Sequence, residues 1–116
     1  MEEVTAMSTP DQLLTALREG RHDQSLAALY ALDGTQESLD LARDRACRVV
    51  RSLMDTFSPA GDASAALFSG PGRTEIGGNH TDHQHGRVLC GSVAMDMLAC
   101  AAPNSQNVTR IQSEGY

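Results

Sequence analysis

From Gln36 to Phe57 the residues Ala42, Ala46, Val49, Val50, Leu53 and Phe57 recur at three- and four-residue intervals with arginines and aspartates between them. That spacing places the apolar side chains on one stripe of an α-helix, and the rest of the chain is read around it. The polar positions Asp40, Arg43, Asp44, Arg48 and Arg51 read as a solvated face with weak pairing between residues four apart. Two shorter helices precede it. The first, over residues 9–20, has Thr9 as N-cap with Gln12 three positions on, Pro10 at the first helical position, Leu13, Leu14 and Leu17 on one face, and Gly20 as a stop. The second fits Asp23 to Leu32, with Leu26, Leu29 and Tyr30 inward and Gly34 after it.

Between Ser58 and Ser64 proline, glycine, serine and aspartate displace the apolar residues, which marks a linker. Beyond it the pattern turns strand-like. Ala66 to Ser69 is a short strand, and Arg87 to Val93 begins a second that runs on through Met95, Leu98 and Ala102. Pro103 to Gln106 is a turn and Asn107 to Gln112 a returning strand. Helices followed by strands predict an α+β fold, divided into a helical extension over residues 1–60 and a second segment over 61–116.

With 41% apolar and 21% charged residues in 116, the composition is that of one small globular unit, and 3% aromatic content makes the core aliphatic. A net charge of −6 disfavours nucleic acid and anionic membrane as partners. All nine basic residues are arginines, which excludes P-loop and Schiff-base lysine chemistry within these residues. Cys47, Cys90 and Cys100 are odd in number, lack C-x-x-C spacing and lie among apolar neighbours. They read as buried, reduced thiols of a cytoplasmic protein. No signal peptide is visible, and no apolar run reaches the ~20 residues that span a bilayer.

The chemistry concentrates in SGPGRTEIGGNHTDHQHG, Ser69 to Gly86, where three histidines, an aspartate, an arginine and five glycines share eighteen residues. Three ligands suit that set. His80, Asp82, His83 and His85 are metal-ligand types, but glycines on both sides deny them a helical scaffold and no cysteine is near to complete a structural site. Gly70-Pro71-Gly72-Arg73 has the makings of an anion loop, with backbone N–H groups and a permanently charged fork. A sugar wants a carboxylate to accept from its hydroxyls and amide or imidazole groups to complement it; Asp82, Asn79 and His80 supply these.

The order of the residues adds more than their types. Pro71-Gly72-Arg73, then after five residues Asn79-His80-Thr81-Asp82, then Gly86 and Val88-Leu89, resembles the galactokinase signature P-G-R-x-x-x-x-G-E-H-T-D-Y-x-x-G-x-V-L, the first motif of the GHMP family of small-molecule kinases. The resemblance covers about twenty residues. It implies that the chain holds helices followed by part of the mixed β-sheet of a GHMP kinase N-terminal domain, truncated. It further implies that Asn79, His80 and Asp82 bind the hydroxyls of galactose or a related hexose, and that Arg73 is catalytic, beside the anomeric hydroxyl and the transferred phosphoryl group. Asn79 stands where glutamate is usual, His83 where tyrosine is, and Thr74-Glu75-Ile76-Gly77 where Val-Asn-Leu-Ile is.

The family's nucleotide-binding motif and its base are missing from this sequence. The resemblance therefore implies a galactokinase whose full-length parent uses ATP and Mg, and a 116-residue chain that is itself inactive, with no cofactor or metal held here and an exposed sheet open to self-association. Two other functions remain open: a non-catalytic sugar-sensing or partner-binding protein, and a His/Asp metal-binding domain.

Overall fold

Thr9 ends its extended segment with its hydroxyl on the N–H of Gln12, while the Gln12 side chain accepts the Thr9 N–H at 3.1 Å. That reciprocal cap starts the first helix, α1 (Pro10–Arg18). The structure, a computed structural model, describes residues 2–3, 8–30 and 33–115. After α1 come α2 (Asp23–Tyr30) and α3 (Gln36–Phe57), the latter with the limits its periodicity predicts and with Thr35 as N-cap. Ala31 and Leu32, expected to end α2, lie outside the described residues.

Three strands, β1 (Glu2–Glu3), β2 (Ala66–Gly77) and β3 (Leu89–Ala101), form an antiparallel sheet in the order β1-β2-β3. The class is α+β, as expected, and the pairing among the described strands is antiparallel throughout. Leu13, Leu17, Leu26, Val50 and Leu67 are fully buried in a cluster shared by helices and sheet, against which Leu98, Cys100 and Ala102 also pack. Alternation along β3 turns Leu98 and Cys100 to this core and Met95 and Met97 to solvent, where they are 74% and 78% exposed.

The structure corrects several sequence readings. The strand expected over Ala66–Ser69 continues to Gly77, so Gly70-Pro71-Gly72-Arg73 is strand and not a loop. A register shift between Pro71 and Arg73 accommodates the proline, and a Cβ on Gly72 would stand 2.9 Å from the Met95 carbonyl oxygen. Asn107–Gln112 is irregular: Asn104 turns the chain by accepting the Gln106 N–H, and no strand follows among the described residues. Cys47 is buried and Cys100 half-buried, but Cys90 is exposed. Burial pushes the Cys100 thiol up to about 11. Arg43 is no solvated position: its guanidinium grips both oxygens of Asp23 at 3.1 and 2.7 Å and ties α2 to α3.

A second tie joins helices to sheet. Asp96 on β3 turns inward, with its side chain 11% exposed, and accepts from Arg45 of α3, Ser69 Oγ (2.7 Å) and Tyr30 Oη (3.1 Å). Arg45 also donates to the Asp96 carbonyl at 3.1 Å and lies 5.8 Å from the centre of the Tyr30 ring. Burial alone would raise the Asp96 carboxyl; the hydrogen bonds from Ser69, Arg45 and Tyr30, with the Arg45 charge, outweigh it and hold the group below the usual carboxylate range.

Candidate functional site

β2 and β3 project past the helical layer, so from Arg73 onward β2 is exposed on both faces. The connection between them is built on two glycines. Gly78 has φ +122°, and a Cβ there would stand 2.6 Å from the Arg87 oxygen; one on Gly86 would lie 2.0 Å from Thr81 Oγ1. Thr81 closes the loop: its hydroxyl donates to the Gly78 oxygen at 2.7 Å, and its carbonyl accepts the N–H groups of Gln84 (3.0 Å) and Gly86 (2.8 Å). Those bonds shape a single 3-10 turn over Asp82–Gln84, with His85 left-handed after it.

Within this frame the sequence-predicted residues separate into two groups. Arg73 leaves β2 and meets Asp82 across the loop, with Nη2 3.4 Å from Oδ2. Both are solvent-accessible, so the contact orients the two side chains more than it stabilises the fold. His80 is close by, its ring centre 5.4 Å from that of His83, and His83 Nδ1 lies 3.8 Å from Asp82 Oδ1. Asn79 is exposed and left-handed at φ +54°, its amide free of hydrogen bonds to described residues. Arg73, Asp82, His83 and His80 thus form a run of neighbouring contacts that offers a cation, a carboxylate and imidazoles, and Asn79 precedes His80 in the same turn. Such a run can exchange hydrogen bonds with a polyhydroxylated ligand on several sides.

Sequence reasoning missed Glu75, which joins this run from β2 and accepts the His80 N–H at 2.7 Å. The signal available was its place as the one carboxylate between Arg73 and Asn79. Among the described residues no three His, Cys, Asp or Glu side chains converge as a metal-ion site. Nor is any described helix long and apolar enough to cross a membrane.

Compared with known protein families, residues 55–103 match the model of the galactokinase galactose-binding signature. The matched segment runs from the last turn of α3 through both long strands and holds every candidate residue. This similarity covers 49 of the 116 residues. No curated protein and no solved structure matches the chain significantly.

Proposed function

We propose that this chain is the sugar-binding segment of a galactokinase, whose complete form transfers the γ-phosphoryl group of ATP, with Mg, to the anomeric hydroxyl of galactose. The observation that carries the reading is the meeting of Arg73 on β2 with Asp82 of the loop, with His83 beside Asp82 and His80 beside His83, inside the matched segment. In this reading residues 61–116 are part of the sugar domain, residues 1–60 an extension of it, and the reduced thiols Cys47, Cys90 and Cys100 suit a cytoplasmic protein.

The chemistry asked of the chain is modest, since phosphoryl transfer depends mainly on positioning and electrostatic stabilisation. Asp82 accepts from sugar hydroxyls, while His80 and Asn79 complement it with ring nitrogens and an amide. Arg73 holds the Asp82 carboxylate on one side and offers its remaining N–H groups to the incoming phosphoryl oxygens. The capped helix starts at Thr9 and Thr35 are not preceded by a glycine-rich loop of the kind that holds nucleotide phosphates. No step is therefore assigned to nucleotide here, and a coupled assay of this chain with galactose and Mg-ATP is expected to show no turnover.

Titration with galactose, followed through the amide resonances of residues 73–86 with a non-carbohydrate polyol as control, tests the reading. Shifts confined to the loop are expected, and Asp82→Ala and His80→Ala should each weaken binding at least about tenfold. Equal binding by both variants and the parent would overturn it. The edge of β3, unpaired among the described residues, and its outward Met95 and Met97 lead to a second expectation, self-association through the sheet. Sedimentation equilibrium should report dimers or larger species that Met97→Lys returns to monomer; a monomer at every loading concentration would refute this.

A further inference from the structure

Asn79 and His80 are consecutive non-glycine residues with φ of +54° each. The left-handed region costs such residues roughly 1 kcal/mol apiece, so two in a row persist only where something fastens them. The fastening is visible on one side chain. Glu75 Oε1 accepts the His80 N–H at 2.7 Å, and Oε2 stands 3.9 Å from His80 Nδ1, beyond hydrogen-bond range but within reach of electrostatic attraction. Glu75 is anchored on β2, where it is paired across the sheet with Cys90, and its side chain is 27% exposed against 79% for His80. The carboxylate is thus the fixed partner and the histidine the adjustable one.

We infer that Glu75 is the positioning residue of the loop: its carboxylate fastens the left-handed Asn79–His80 turn through the main chain and turns the His80 ring so that Nε2 faces a sugar hydroxyl. With the imidazole proton on Nδ1, toward the anion, Nε2 is left as an acceptor for an incoming O–H. The same turn carries Asn79 and leads into Asp82, and Thr81 closes it by bonding the Gly78 oxygen and the N–H groups of Gln84 and Gly86. The inference rests on the galactose reading for its ligand, but its structural half is testable without one.

Two variants separate the two contacts. Glu75→Gln keeps a carbonyl oxygen for the His80 N–H and removes the charge facing the ring; Glu75→Ala removes both. In the ligand-free chain, amide exchange at His80 should stay slow in Glu75→Gln and accelerate in Glu75→Ala. The imidazole ¹⁵N shifts, which report the tautomer, should move away from the Nδ1–H form in both. Galactose affinity should fall roughly tenfold in Glu75→Ala and less in Glu75→Gln. Parent-like His80 amide exchange and ring shifts in Glu75→Ala would overturn the inference, whether or not galactose binds. Altered exchange and ring shifts in a chain whose parent form binds no galactose would uphold the clamp and remove the galactose reading alone.

Discussion

Replacement of Asp96 by alanine is expected to lower stability by about 2–3 kcal/mol, near half of the roughly 6 kcal/mol that a chain of this size carries. The variant strips the shared acceptor from Arg45, Ser69 and Tyr30 at one stroke and leaves their donors facing a half-buried gap. The partial exposure of Arg45, at 35%, keeps the figure from rising further, since water reaches its freed guanidinium. Asp96→Asn retains an acceptor but no charge and should cost about half as much. Urea unfolding followed by far-UV circular dichroism measures both, and a change under about 0.5 kcal/mol in the alanine variant would show that the cluster is incidental.

The same group makes an acid signature. Because the folded carboxyl lies below its usual value, its contribution is complete above the unfolded value of about 4 and is lost as pH falls through the lower folded one. The parent should therefore lose stability more steeply below about pH 4 than Asp96→Asn does.

Leu67→Ala is expected to cost about 2–5 kcal/mol. Leu67 is fully buried on β2, opposite Cys100 and inside the cluster that includes Leu13, Leu17 and Val50 from the helices. A cavity there lies between the two layers, so helix and sheet should melt together and at lower temperature. Circular dichroism reports the helices, and the fluorescence of Tyr30, pinned between Arg45 and Asp96, reports the junction. Two separate transitions would show that the layers fold independently.

The helices were legible because their determinants are local. The stripe of α3, the Thr9–Gln12 box and Pro10 each act within a few residues. The long strands were legible only in part, because β2 exists as strand through its pairing with β3, and local composition gave Gly70, Pro71 and Gly72 the look of a turn. Asn107–Gln112 failed for the opposite reason: it has the residue types of a strand but no strand to pair with among the described residues. Arg45 and Asp96 are 51 positions apart, and no periodicity exposes such a pair. In the loop, the spelling of the signature led to Arg73, Asn79, His80 and Asp82, whereas Glu75 emerged only once the backbone had folded back to bring His80 over it.

The overhang of the hairpin has a consequence for how this element can change. Between Arg73 and Ser92 the side chains stand clear of the leucine cluster, so most replacements there alter what the tip recognises without taxing the scaffold that carries it. Gly78 and Gly86 are exceptions, since neither has room for a methyl group. Ligand preference is thereby uncoupled from foldedness, and the tip can be respelled while the body beneath carries the fold.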